Sequence, residues 1–205
     1  MSILVIGVDP GLAHTGFVVC TFNPEEWAHR PKKEKHLALT PVQAGVIKTR
    51  PDKKRKSSKA LDLSSRLKSL GQDFLAITAS VRQPGDVVLL GYELFTPNVG
   101  QRGQFINLAA LYTLAVCGMF AGIGIARGWP VVPIRPAESK GLLTGMKSSP
   151  KTQVYAVRAK ELKAVAYAKW HRGLNEHVGD AMATAVATAN HFADRLVFIS
   201  NYKPT

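Results

Sequence analysis

The sequence predicts an α/β fold: a central five-stranded mixed sheet, an antiparallel meander followed by parallel crossovers, flanked by helices. Two observations lead to this prediction. Apolar runs separated by turns occupy the chain up to residue 48, and beyond it apolar runs alternate with stretches of helical periodicity. Consecutive strands joined by turns form a meander, whereas strands joined through helices run parallel. At 205 residues the chain suits one domain, 1–205, with a substantial core.

The meander is predicted to contain three strands, over residues 3–9, 16–22 and 37–48. Five of the six residues from Ile3 to Val8 are apolar. A strand with one wet face would alternate apolar and polar residues, so this first strand is expected to be buried on both faces. The polar segment 23–36 is predicted to be a solvated, basic loop insertion.

The second half of the chain alternates helices with two further strands. Leucine and other apolar residues recur at three- and four-residue spacings before a Gln-Pro-Gly stop, which predicts a long helix. A fully apolar strand follows and ends at a Tyr-Glu pair. The predicted elements are a helix over 59–81, strands over 86–91 and 129–134, an apolar helix over 104–127, a helix opening at 136–139, at least one helix within 151–170, and a last helix over 177–192.

The charge balance indicates a partner rich in phosphate groups. The chain carries 27 basic and 14 acidic residues, a formal net charge of +13. Lysine and arginine release condensed counterions when they bind a nucleic acid, so DNA is the favoured partner. A second basic insertion, at 50–59, contains Lys53, Lys54 and Arg55. It is either a solvated loop or an arm along a DNA backbone.

A membrane partner and a secreted location are not expected. The longest apolar stretch, 108–126, is interrupted by Tyr112 and Thr113 and lacks interfacial anchors, so no run is expected to span a membrane. It is either a helix that covers the sheet or a subunit interface. No signal peptide is apparent, and both cysteines lie in apolar runs, which predicts a cytoplasmic protein.

Three carboxylates and a histidine are placed to form one site. Asp9 ends the first strand and Glu93 follows the fourth, and parallel neighbours present such residues at the same sheet edge. His177 and Asp180 are three residues apart on a helix and share a face. Oxygen-rich ligation favours Mg²⁺ or Mn²⁺, and two such ions commonly hydrolyse a phosphodiester. Taken singly, each residue could instead serve a turn, a strand end or a surface ion pair.

Four ordered segments resemble the RuvC family of Holliday junction resolvases, in the RNase H-like superfamily. An apolar strand with Asp-Pro-Gly and Thr-Gly comes first, and Tyr-Glu-Leu-Phe resembles the second acidic motif. A Pro-x-x-x-Lys and Thr-Gly…Lys-x-x-Val segment follows, and His-Val-Gly-Asp-Ala resembles the closing motif. The matching segments are 7–16, 92–95, 133–154 and 177–183.

The resemblance implies an RNase H-like nuclease domain that binds two Mg²⁺ ions, with Mn²⁺ as a substitute, through Asp9, Glu93, His177 and Asp180. It implies cleavage that leaves a 5′-phosphate and a 3′-hydroxyl, with Lys151 near the scissile phosphate. Family members are homodimers that nick two opposed strands of a four-way junction. The expected DNA contacts are Lys140, Lys147, Lys151, Arg102, Phe95, Phe105, Lys53, Lys54 and Arg55.

Two departures from the family pattern bear on the substrate. The family places an aromatic wedge three residues after the second acid, whereas Phe95 stands two residues after Glu93, so Phe105 is an alternative wedge. The insertions at 23–36 and 50–59 are long and basic. Both features favour a broader preference for branched DNA. The alternative functions are an RNase H-like nuclease acting on RNA–DNA hybrids or flaps, and a non-catalytic basic DNA-binding protein.

Overall fold

The computed structural model describes residues 2–51, 59–95, 108–144, 156–165 and 176–201. The described part contains five strands, six α-helices and one 3-10 helix, and their order confirms the predicted α/β class. The strands are β1 (Ile3–Asp9), β2 (His14–Phe22), β3 (Leu39–Lys48), β4 (Val87–Glu93) and β5 (Val131–Ile134). The helices are α1 (Pro24–His29), a 3-10 helix (Lys32–Ala38), α2 (Lys59–Val81), α3 (Leu108–Ala126), α4 (Pro136–Thr144), α5 (Ala159–Ala164) and α6 (Glu176–Asn201).

The five strands form one mixed sheet in the order β3-β2-β1-β4-β5. β1 pairs antiparallel with β2, and β2 with β3, which is the predicted meander. β4 lies parallel to β1, and β5 lies parallel to β4, each reached through a helix. β1 is therefore the central strand.

Alternation along β1 separates two hydrophobic cores. Leu4, Ile6 and Val8 point to the side covered by α2 and α3, where they join Phe74 and Phe120. Side chains of a strand alternate between the faces of a sheet, so the intervening positions face the opposite side, against α6. Because both sides of β1 are covered, its apolar run is continuous, as expected for a doubly buried strand.

Residues 24–38 are helical, and the prediction of a solvated loop over 23–36 is wrong. The Asn23 side chain accepts hydrogen bonds from the backbone N–H groups of Glu25 and Glu26, at 3.1 Å each, and Pro24 opens the helix. Both are strong helix-start features. Trp27 is buried edge-on against Phe22, so this segment adds one large side chain to the core, while most of its other residues are exposed or half-buried.

The other element boundaries shift by a few residues. β2 begins at His14 rather than 16, β3 begins at Leu39 rather than 37, and β5 begins at Val131 rather than 129. β4 runs to Glu93, so the acidic residue belongs to the strand and not to the loop after it. The last helix extends well beyond 192, to Asn201, and α2 has the predicted bounds.

Helix α3 covers the sheet with one side and exposes apolar residues on the other. Val116, Cys117 and Phe120 are buried, whereas Leu111 is 47% exposed and Ile125 is 75% exposed. Among the described helices, α3 alone is long and apolar enough to cross a membrane, judged by length and composition. Core helices of soluble proteins meet the same criterion, so the expectation that no run spans a membrane stays a prediction.

Helix α6 is buried on all sides from Val178 to Ala189. Every residue from Val178 to Ala189 is buried, which exceeds the single inner stripe predicted for this helix. The sheet lies under it, and α1 and α4 pack against its remaining surface. The many alanines allow this enclosure, because small side chains let helices and strands approach closely.

The carboxylate of Asp86 ties the beginning of β4 to the N-terminal residue of the described chain. It accepts hydrogen bonds from the Gln83 backbone N–H at 2.8 Å and from the Ser2 backbone N–H at 2.9 Å. These bonds, Gln83 first, hold the pKa of Asp86 below its ordinary value of 3.8. A lowered pKa contributes stability that is present above the ordinary value and is lost as the pH falls through the folded-state value.

We therefore expect Asp86→Asn to be less stable than the wild type at pH 7, with the difference shrinking below about pH 4. Thermal unfolding of both proteins from pH 3 to pH 7 measures it. A constant difference across this range would show that the charge of Asp86 contributes nothing.

Candidate active site

The strand register brings Asp9 and Glu93 side by side. Val8 is the register partner of Tyr92 in the parallel pair, so the next residues, Asp9 and Glu93, are neighbours at the carboxyl end of the sheet. Both lie two residues beyond a glycine pair, Gly7 and Gly91, and therefore point to the same side as those glycines. That side is the one covered by α6.

Glycines on three adjacent strands allow α6 to lie against the sheet. A Cβ on Gly7 would overlap the backbone of Ala181 and Ala185, and a Cβ on Gly16 would overlap the carbonyl of His177. A Cβ on Gly91 would overlap the side chain of Thr188. Gly16 is the register partner of Asp9, so the first turn of α6 is held directly over that carboxylate.

Asp9 and His177 are in contact. His177 Nδ1 lies 2.6 Å from Asp9 Oδ2, across 168 residues of sequence. Both side chains are more than half buried, which makes a charge-assisted hydrogen bond stronger than it would be in water. This contact unites the end of β1 with the start of α6, as predicted for the site.

Asp180, one helical turn after His177, is held by a lysine. Its carboxylate is almost completely buried, and Lys140 Nζ of α4 lies 3.7 Å from its Oδ1. Lys140 was expected to contact DNA phosphate, and the structure places it beside this carboxylate instead of free on the surface. A second pair joins the same two helices, because Glu138 Oε1 lies 2.7 Å from His191 Nε2.

The buried thiol of Cys117, on α3, lies close to the end of β4. Its thiol lies 3.7 Å from the backbone carbonyl of Glu93. Burial raises the pKa of the Cys117 thiol, and the negative charges of Asp9 and Glu93 raise it further. Backbone hydrogen bonds from Phe95 and Cys117 act in the opposite direction and lower it.

The donor set fits a hard divalent cation in the type of its ligand atoms. Three carboxylates and one imidazole share one face of the sheet edge, and such ligands suit Mg²⁺ or Mn²⁺. As the side chains stand, however, no three His, Cys, Asp or Glu residues in the described ranges are arranged to hold a metal ion. The contacts shown are Asp9 with His177 and Asp180 with Lys140, so the predicted four-residue ligand set stays a prediction.

His14 adjoins this site and was given no role by the sequence. Its ring stacks on that of His177, with centroids 5.9 Å apart and planes 13° from parallel. Burial lowers the pKa of His14, and the nearby positive charges of His177, Lys48 and Arg50 lower it further. Its only signal in the sequence was its place in the turn between Asp9 and Gly16.

Hydrogen bonds from Thr49, which follows β3, hold the turn between β1 and β2, and Arg66 of α2 holds Thr49. The Thr49 hydroxyl donates to the carbonyl of Leu12, and the Thr49 backbone N–H donates to the carbonyl of Ala13 at 3.1 Å. Arg66 Nε in turn donates to the Thr49 hydroxyl oxygen at 3.0 Å. This chain of bonds holds rigid the turn that follows Asp9.

We expect Lys140→Met to lower the free energy of unfolding by about 1–3 kcal/mol in the absence of divalent cations, because it removes the ammonium group 3.7 Å from the buried Asp180 carboxylate. Added Mg²⁺ should recover part of this loss, since a cation at Asp180 replaces that charge and stabilises the folded state by binding. Urea unfolding with and without Mg²⁺ measures both effects.

Lys160→Met, which removes an exposed lysine of α5, is the matched control and should change neither value. Equal losses in the two variants would contradict the pairing of Lys140 with Asp180.

Phe95 lies two residues after the end of β4 and is half-buried. The remaining predicted contacts lie outside the described residues, so they stay predictions. They are Lys53, Lys54, Arg55, Arg102, Phe105, Lys147 and Lys151.

Comparison of the sequence with protein-family models and with curated proteins finds no match. Comparison of the structure does. A structure of Thermus thermophilus RuvC aligns with a TM-score of 0.55 and 20% identity, covering 96% of this chain and 97% of that one. T. thermophilus RuvC in complex with a Holliday junction substrate aligns with a TM-score of 0.58 and 20% identity, covering 95% and 96%.

The yeast mitochondrial Holliday junction resolvase Ydc2 aligns with a TM-score of 0.50 and 11% identity, over 96% of this chain and 83% of Ydc2. At such identities the likeness concerns the fold. The four motifs that resemble the RuvC family thus agree with the three-dimensional structure: along nearly its whole length, this chain has the fold of the RuvC Holliday junction resolvases.

Proposed function

We propose that this protein is a divalent-metal-dependent DNA endonuclease that resolves Holliday junctions and related branched DNA. The observation that carries the proposal is the contact between His177 and Asp9, beside Glu93, at the carboxyl edge of a RuvC-type sheet. The solved structures with this fold include one bound to a Holliday junction substrate. The formal charge of +13 suits a DNA partner.

Asp9, Glu93, His177 and Asp180 would hold the cations. When bound, Mg²⁺ supplies Lewis acidity at the scissile phosphate and lowers the cost of activating water. The hydrogen bond to Asp9 orients the His177 imidazole. Because α6 is buried around Asp180, that side chain is held away from solvent. In the proposed reaction, water attacks the phosphorus and the bond to the 3′ oxygen breaks, which leaves a 5′-phosphate and a 3′-hydroxyl.

Paired nicking of a four-way junction would need two such sites. The outward side of α3 supports a homodimer, because it carries exposed apolar residues beside two exposed glycines, Gly118 and Gly122, that leave open space for a second chain. Sedimentation in parallel with cleavage assays tests this. A protein that cuts both strands of one junction while remaining monomeric would contradict it.

The function is tested by comparing cleavage of a four-way junction, a Y-fork and an RNA–DNA hybrid in Mg²⁺ and in Mn²⁺. We expect the junction to be nicked fastest, with symmetric cuts in opposed strands. Preference for the hybrid would instead identify an RNase H-like ribonuclease. Tight binding of the junction without cleavage in either ion would identify a non-catalytic DNA-binding protein.

A salt series gives a second measure of the DNA interface. Each phosphate neutralised by a lysine or arginine makes the affinity fall more steeply with salt concentration.

A further inference from the structure

A cavity adjoins the candidate active site on the side of α2 and α3. It has a volume of about 370 Å³ and lies between the β1–β2 turn, α2, the beginning of α3 and His177. That volume falls at the lower end of the range of small-ligand sites in proteins. Its lining includes His14, Arg66, Ala109, Tyr112 and His177.

The walls of this cavity suit a flat, largely apolar group. Two rings, His14 and Tyr112, lie among mostly small and apolar neighbours. Unstacked nucleic-acid bases are bound by proteins on the faces of histidine, tyrosine and arginine side chains. Every base offers such a face, so the fit does not depend on one hydrogen-bond pattern.

Arg66 argues against a phosphate as the occupant. Its side chain is 11% exposed, and its guanidinium is already engaged, with Nη1 3.7 Å from Asp62 Oδ2 and Nε bonded to Thr49. A phosphate would have to compete with Asp62 for this charge. A base, in contrast, can lie against the guanidinium plane without breaking either contact.

The position of the cavity indicates which nucleotide of a bound DNA would lie next to it. His177 lines the cavity and also contacts Asp9, so the cavity and the catalytic carboxylates share one wall. DNA with its scissile phosphate at Asp9 would bring the adjacent nucleotides to the cavity mouth. Unpaired or easily unpaired bases are available at a branch point, where the cost of unstacking is lowest.

We propose that this cavity receives one nucleobase, flipped out of the helical stack next to the cleaved phosphate. The inference rests on the proposed function and adds to it a site that reads the strand beside the cut. It predicts that one nucleotide position near the scissile phosphate depends on its base for binding, through stacking on His14 and Tyr112.

The test measures how much the removal of one base weakens junction binding, and compares this effect between proteins with an open and with a filled cavity. The DNA is a set of six junctions, each with one abasic site at one of three positions on either side of the cut. The parent protein is the full chain carrying Asp180→Asn, a substitution expected to prevent cleavage, and it is titrated with each junction. The same series is titrated with Ala109→Trp added, since Ala109 lies at the wall and an indole there fills the space. Ala126→Trp, exposed at the other end of α3 and about 25 Å away, is the control.

At one position, loss of the base should weaken binding about tenfold in the parent and in the Ala126→Trp protein. In the Ala109→Trp protein the same loss should have less than a twofold effect, because the base is already excluded. If Ala109→Trp does not fold, Tyr112→Leu, which removes a stacking ring, should also reduce the dependence on that base.

Equal effects of every abasic site in the parent and the filled variant would overturn the cavity assignment alone, provided that the wild type cuts the junction. A wild-type protein that neither binds nor cuts branched DNA would overturn the proposed function and this inference together.

Discussion

Asp9→Asn is expected to lower the rate of junction cleavage roughly a thousandfold while leaving junction binding within about twofold. The substitution keeps the size of the side chain but removes one negative charge from the group that would hold the cations. Several kcal/mol of transition-state stabilisation depend on such a ligand, and about 4 kcal/mol corresponds to a thousandfold. Single-turnover cleavage and fluorescence anisotropy with the same labelled junction measure the two quantities.

Glu176→Gln is the matched control for charge. Glu176 directly precedes His177 but is exposed and points about 100° away on the helix. The variant loses the same charge close to the site and should cleave at the wild-type rate. Undiminished cleavage by Asp9→Asn would remove Asp9 from the catalytic groups, whereas equal losses in the two variants would indicate a general effect of charge.

Gly7→Ala is expected to lower the free energy of unfolding by about 3 kcal/mol. The added methyl would overlap the backbone of Ala181 and Ala185, and neither the central strand nor the enclosed helix has a flexible end that can yield. For a chain of this size the melting temperature should fall by about 6–12 °C. Cleavage should also fall, because α6 must rise from the sheet and carry His177 away from Asp9.

Gly71→Ala is the control for that experiment. Gly71 is a buried glycine in α2, but a Cβ there would make ordinary contacts with Met119 at 3.4 Å and Ile123 at 3.6 Å. Alanine also favours the helix by up to about 1 kcal/mol over glycine, so this variant should be unchanged or more stable. A Gly7→Ala protein as stable as Gly71→Ala would mean that the close approach of α6 is not required.

The strands and helix α2 could be predicted because their signals are local. The uninterrupted apolar run of residues 3–8 and the three- and four-residue spacing of 59–81 correspond to β1 and α2. The segment 23–36 was misjudged for the opposite reason. Its polar composition is typical of a loop, although the segment forms a capped helix. The one large apolar residue of that segment, Trp27, packs against Phe22, a contact that exists only in the folded chain.

Some contacts of the candidate site could also be predicted from the sequence, and others could not. Asp9 and Glu93 could be placed together from sequence, because the parallel crossover rule determines which strand ends are neighbours. The partner of Asp180 could not be, since Lys140 meets it only through the packing of α4 on α6. The stacking of His14 on His177 and the cavity beside them likewise depend on contacts between residues far apart in the chain.

By itself the sequence determined the fold class and the strand that carries Asp9, and it led to the prediction of a cation site from the types of side chain present. These follow from short-range periodicity and from residue chemistry. Only the tertiary structure decided how closely α6 approaches the sheet, which side chains contact one another at the site and where space remains beside it. Those properties depend on the mutual fit of distant surfaces, which no local pattern records.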